Sequence, residues 1–199
     1  MSADPIVFQD GFREDPDDPD TPYVVFSERL GDTRGLFYVH GALHLYLANG
    51  QLRKHCWSRT HTPLTELIKA GLAVGDYPLF VAEGAADRKL SQIQRSGYLW
   101  YCLDKLARIK TPLVVFGHSL GDSDQHIVDA LARNVELPAM HIGVHGGPDS
   151  PSAANVEAAA NNLMKIREAT LEARGGKGKE LSVSFFSSES APVWEQGVA

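Results

Sequence analysis

Between Pro63 and Ser187, apolar runs of strand length alternate with segments of helical period, and this alternation constrains the fold most. YPLFVAEG, PLVVFG, PAMHIGVHG and LSVSFFSS read as strands; LTELIKAGL, ADRKLSQI, YLWYCLDKLARI, DSDQHIVDALARN and residues 152–174 read as helices. Leu99, Cys102, Leu103 and Leu106 share one helical face. Strand–helix–strand order implies right-handed crossovers and parallel strands. PLVVFG, apolar throughout, has the composition of a strand covered on both sides. Upstream, YVVFSERL, GLFYVHGAL, LHLYLANG and QLRKHCW are further strands rich in β-branched and aromatic residues. Asn49-Gly50 suits a type I′ turn, which needs positive φ at both positions. The prediction is an α/β fold: a mostly parallel Rossmann-like sheet with flanking helices and a β-hairpin insertion near residues 43–57.

The length, 199 residues, suits one domain with a substantial core, expected over residues 23–190. Residues 1–22 read as an acidic flexible segment, because DGFREDPDDPD offers little apolar surface to bury. Residues 191–199 read as a frayed tail. A net charge of −6 with scattered Lys and Arg argues against nucleic acid, which requires a basic face. Cys56 and Cys102 form no C-x-x-C pair, so neither a disulfide scaffold nor a zinc ribbon is expected. No apolar run approaches the roughly 20 residues that span a bilayer. MSADPIVFQD has no basic region followed by an apolar stretch, so no membrane partner is expected and the predicted location is cytoplasmic.

Ligands of open α/β sheets bind beyond the carboxyl ends of the strands. The predicted strand ends carry His40-Gly41, Glu83-Gly84, the turn Gly117–Asp124, and His145-Gly146-Gly147. Glycine lets a ligand approach the backbone, and a helix starting near Asp122 directs free N–H groups at an anion. One such turn is ordinary; several on one rim point to a nucleotide or another polar small molecule. GHSLG, residues 117–121, also fits the nucleophile elbow of serine hydrolases, with Ser119 as nucleophile and Asp149 as acid. No histidine follows His145, so the usual order of the triad fails and His141 or His145 would have to serve. The hydrolase is therefore the second reading. His40/His44 and His141/His145 are spaced to share strand faces, but rim histidines satisfied by backbone carbonyls explain them better than a metal pair. Asp122-x-Asp124-x-His126 lacks the other blocks of a metallophosphoesterase, and no metal is expected. Tyr98, Trp100 and Tyr101 read as an aromatic cluster packing between helices.

The stretches GLFYVHGALHLYL, YPLFVAEGAADRKLSQIQRSGYLWYCLDKL and PLVVFGHSLGDSDQHIVDAL resemble the second half of a bacterial family labelled domain of unknown function 4917. That family is similar to the sirtuin-like, Sir2-type NAD-binding proteins, and the resemblance covers roughly residues 10 to 160. It implies His40-Gly41 as the His-Gly element, with His40 the catalytic histidine beside the nicotinamide ribose; Glu83 is read as a cofactor-binding residue from its strand-end position alone. Gly117, Ser119 and Leu120 would contact the dinucleotide, and Asp122 and Asp124 match the G-x-S-L-x-D signature. Asp10-Gly11-Phe12 resembles the element that precedes the His-Gly strand. The Gly-rich pyrophosphate turn, the catalytic asparagine segment and the zinc cysteines of deacetylating sirtuins are absent from this sequence. The resemblance thus implies half of an NAD site and NAD hydrolysis once that site is completed, with a homo-oligomer, or a partner chain supplying the missing N-terminal half, as the expected partner. A nucleotide-sensing or interaction module without catalysis is the remaining alternative, and an exposed sheet edge would suit it.

Overall fold

The computed structural model describes residues 8–28, 34–147 and 149–191. They fall in two compact units, one formed by Met1–Ala82 with Ile93–Cys102 and the other by Glu83–Gln92 with Leu103–Ala199. The expected tail lies outside the described residues from position 192 onward.

The first unit holds β1 (Phe8–Gln9), β2 (Phe12–Arg13), β3 (Tyr23–Phe26), β4 (Arg34–Gly35), β5 (Gly41–Ala48) and β6 (Gln51–His55). The short helix α1 (Trp57–Thr60), α2 (Leu64–Val74) and β7 (Pro78–Phe80) follow. Its main sheet has the order β2-β3-β6-β5-β7 with every pairing antiparallel, while β1 and β4 form a separate parallel pair. Asn49 and Gly50 take φ of 52° and 77°, so the predicted tight turn joins β5 to β6. The hairpin is the middle of this sheet rather than an insertion into a parallel one.

Leu45, Tyr46, Phe12 and Val25 form the unit's core with Ile93, Tyr98, Leu99 and Cys102. Tyr98 meets Phe26 edge-on with ring centres 4.7 Å apart, and Tyr101 packs on Phe26 and Phe37, whereas Trp100 is exposed. The acidic stretch is not uniformly solvated. Phe12 and Asp15 are buried, Asp10 pairs with Lys54, and Arg59 binds Glu14 and the carbonyls of Pro19 and Thr21. Periodicity alone gave no sign of these cations, which arrive from β6 and α1.

Two helices follow β7, α3 (Ala86–Gln94) and α4 (Gly97–Leu106). The second unit continues with β8 (Leu113–Val115), a 3-10 turn Asp122–Asp124, α5 (Gln125–Arg133), β9 (Ala139–Val144), α6 (Pro151–Ala173) and β10 (Ser182–Ser187). Its three strands are all parallel, in the order β10-β9-β8, with β8 to β9 joined through α5 and β9 to β10 through α6. Among the described residues parallel pairing is thus confined to this sheet and the two-residue β1–β4 pair, so the predicted α/β class holds and a mostly parallel sheet does not. Nor is PLVVFG covered on both faces: Val115 is buried but Val114 is 61% exposed.

Met140, Ile142, Val128, Leu131, Leu137 and Leu163 are fully buried in this unit. On α6, Ala153, Val156, Ala160, Leu163 and Arg167 recur at spacings of three and four, which keeps one face inward. Ser150 caps α6, its Oγ accepting from the Ala153 N–H at 3.1 Å, and Pro151 occupies the first turn where its missing N–H costs nothing.

Candidate functional site

The second unit's chemistry gathers where β8 ends. Gly117 and Leu120 take φ of 68° and 52°, so the chain reverses tightly before α5. A leucine in the left-handed region costs about 1–2 kcal/mol. Burial of its side chain and the bond from its N–H to His118 Nδ1, 3.0 Å long, offset that cost. Because Nδ1 accepts, a neutral His118 carries its proton on Nε2, which lies 3.4 Å from Asp124 Oδ2. The other oxygen of Asp124 accepts from Lys89 Nζ at 2.8 Å. Lys89 is buried, so its ammonium is held by a carboxylate rather than by water. Asp124 also presents an oxygen within 4.8 Å of a ring nitrogen of the buried His126.

Beside the turn opens a cavity of ≈ 400 Å³, lined by Ser119–Asp122 and Gln125 on one side and by Asn155 and Asn162 of α6 on the other. Asn162 Nδ2 donates to Gln125 Oε1 at 3.1 Å, and Gln125 Nε2 donates to Asp129 at 2.7 Å. Gln125 thereby braces α5 against α6 and fixes the width of the cavity.

Of the residues picked from sequence, Ser119, Leu120 and Asp122 line this cavity. Gly117 supplies the left-handed bend before it, and Asp124 holds the turn through Lys89 and His118. Asp122 begins the 3-10 turn, and among the described residues no side chain caps either that turn or α5. Glu83 is exposed and lies outside the cavity lining. His40 and Gly41 belong to the first unit. His40 does not end a strand; it sits in the turn that leads into β5, with its carbonyl accepting from the Val81 N–H at 2.8 Å. The apolar run GLFYV misleads because among its residues Gly35 alone lies in a strand, its pairing ending at the bond from the Leu36 N–H to the Gln9 carbonyl. Gly41 takes φ of 73°, and a Cβ there would fall 2.0 Å from the Leu79 carbonyl oxygen, so glycine is required by packing within the sheet. His44 in β5 meets Tyr38 edge-on.

The hydrolase reading meets two obstacles. A nucleophile elbow places its serine in the strained position. Within GHSLG the left-handed residue other than glycine is Leu120, and among the described residues Ser119 Oγ makes no hydrogen bond. The other members of a rearranged triad are engaged elsewhere or exposed. His141 Nδ1 lies 2.7 Å from Ser184 Oγ, His145 pairs with Glu189 at 2.7 Å, and Asp149 is exposed. Glu189 accepts from the Gly146 N–H and from Ser187, which holds its carboxyl down at about 2. This side-chain pairing replaces the backbone carbonyls expected for His141 and His145.

Lys89, Asn155 and Asn162 escaped the sequence reading, although each carries a spacing signal. Lys89 precedes buried Ile93 by four residues, which puts a cation on the apolar side of α3. Asn155 and Asn162 are two turns apart in an Ala-rich helix and therefore share a face.

Among the described residues no helix is long and apolar enough to cross a membrane. The family described as Domain of unknown function (DUF4917) matches residues 2–194. No curated protein matches the chain, and no solved structure does.

Proposed function

The chain belongs to the DUF4917 family, and from that premise we propose that it binds NAD or ADP-ribose at the turn following β8, as a sirtuin-like protein would. The observation that carries this reading is the polar cavity at Ser119–Asp122, placed at the carboxyl end of a parallel strand and ahead of a helix. Strand–helix–strand–helix–strand connectivity with neighbouring parallel strands is that of one mononucleotide-binding half of a dinucleotide fold, whose first strand–helix turn meets phosphate. The tightly turned backbone and the following helix N-terminus suit an anion there. The lack, among the described residues, of a hydrogen bond at Ser119 Oγ favours binding over serine chemistry.

In the sirtuin-like reading His40 serves hydrolysis of the dinucleotide. Water attacks C1′ of the nicotinamide ribose, its proton passes to the imidazole, and the C1′–N bond breaks with its electron pair leaving on nicotinamide. ADP-ribose and nicotinamide are the products. Calorimetric titration with NAD and ADP-ribose tests the binding, and release of nicotinamide tests the chemistry. Saturable binding is expected, together with turnover that falls at least a hundredfold in His40→Ala. Turnover unchanged in that variant removes His40 from catalysis, and no binding of either ligand removes the proposal.

A further inference from the structure

The cavity at the turn has a lining unlike that of a phosphate site. Among the described residues neither lysine nor arginine lines it, and Asp122 contributes a carboxylate. A phosphate placed against Asp122 would meet a like charge with no cation in the lining to compensate it. The remaining polar groups are the Ser119 hydroxyl and the carboxamides of Gln125, Asn155 and Asn162. Among the described residues, the Ser119 hydroxyl, the Asp122 carboxylate and the Asn155 carboxamide make no hydrogen bonds. Asn162 uses one N–H on Gln125 and keeps its carbonyl and a second N–H for other partners.

A carboxylate only accepts, whereas a carboxamide both donates and accepts. Together they match a pair of adjacent hydroxyls: each hydroxyl can donate to Asp122 while its oxygen accepts from an asparagine N–H. Neutral sugar hydroxyls also avoid the repulsion that an anion would face. We infer that the cavity between the β8 turn and α6 is a ribose subsite, in which Asp122 accepts from the 2′- and 3′-hydroxyls and Asn155 and Asn162 donate to them. The inference rests on the nucleotide reading for its place on the ligand, and it gives the phosphate to the turn backbone outside the cavity. A nucleoside without phosphate should therefore bind, and its diol should decide the affinity.

The test uses the full chain and four probes: adenosine, 2′-deoxyadenosine, 3′-deoxyadenosine and inorganic pyrophosphate, followed by amide NMR shifts. Adenosine should shift the signals of Ser119–Asp122, Asn155 and Asn162. Loss of either hydroxyl should weaken binding about tenfold, the usual scale of a hydrogen bond to a charged group. Asp122→Asn should weaken adenosine about tenfold and strengthen or leave unchanged any binding of pyrophosphate. Asn155→Ala should weaken adenosine several-fold. Both side chains are exposed, so unchanged melting temperatures are expected and control for folding. The inference fails if adenosine shifts none of these signals, if the deoxynucleosides bind as tightly as adenosine, or if Asp122→Asn binds adenosine unimpaired. Diol-selective adenosine binding without any response to NAD or ADP-ribose would uphold the subsite and refute the dinucleotide reading. ADP-ribose binding with no preference among the nucleosides would do the reverse.

Discussion

At the scale of single residues, the largest effects follow from buried polar groups and forced backbone. Arg167 is 1% exposed, and its guanidinium donates to the carbonyls of Asn134, Val135, Leu137 and Lys179. The fork joins α6 to the chain segments that enter β9 and β10, and no lysine can reproduce it. Arg167→Leu leaves four carbonyls without this donor and should cost on the order of 3–5 kcal/mol in urea unfolding. Arg167→Lys should recover only a minor part of that loss. The two glycines of the hairpin region make a sharper contrast. Gly41→Ala drives a methyl into the Leu79 carbonyl and should prevent soluble expression, whereas Gly50→Ala meets nothing within 4 Å and should cost about 1 kcal/mol through its left-handed backbone. Equal stability of the two alanine variants would contradict the packing described for β5 and β7. Cys102 is fully buried, and burial pushes its thiol up to about 11, so the native chain should be alkylated at Cys56 well before Cys102.

At the scale of elements, β5 and β6 carry a pH response. Burial lowers the pKa of His44, with Lys54 adding to the effect, and burial likewise lowers that of His55, which stacks on Tyr46 at 4.3 Å. Both rings are therefore neutral in the folded sheet, while the unfolded chain binds their protons near the ordinary value of about 6.5. The stabilisation is fully present above that value and is lost as pH falls through the lower folded pKa values. Urea midpoints should decline from pH 7.5 toward pH 5, and a His44→Gln/His55→Gln variant should show a flatter profile over that window. A second element-scale prediction concerns α3. Lys89→Met deprives Asp124 of its ammonium partner and releases the restraint on His118, so ligand affinity at the turn should fall even though Lys89 lies outside the cavity lining. Titration of ADP-ribose into Lys89→Met measures this, with weaker binding expected and unchanged binding contrary to it.

Legibility also differs by element. The hairpin was readable because Asn49-Gly50 combines two local conformational preferences, and the second unit's strands and helices were readable from period and length. Direction was not readable. YPLFVAEG looks the same whether β7 runs parallel or antiparallel to its neighbour, and its pairing with β5 is decided by contacts far off in sequence. His40 was misplaced for a related reason, since an apolar run suggests a strand whether or not its backbone is paired. The turn after β8 was found because glycine, serine and acids cluster there. The α6 wall of the cavity was missed because asparagines on an exposed helix face are individually unremarkable in sequence.

At the scale of the whole molecule, the chain combines an antiparallel five-stranded sheet and a parallel three-stranded sheet, each with its own buried core. The proposed function lives on the parallel one, where a strand end, a constrained turn and two helices enclose a polar cavity. Its energetics need only modest complementarity: a millimolar to micromolar ligand corresponds to about 4–8 kcal/mol, which a few charge-assisted hydrogen bonds and one buried sugar can supply. The most direct measurement is an amide NMR titration of the intact chain with ADP-ribose. Saturable shifts centred on Gly117–Asp122, Asn155 and Asn162 are the predicted result. Absence of saturable shifts, or shifts confined to residues remote from that turn and from α6, would contradict it.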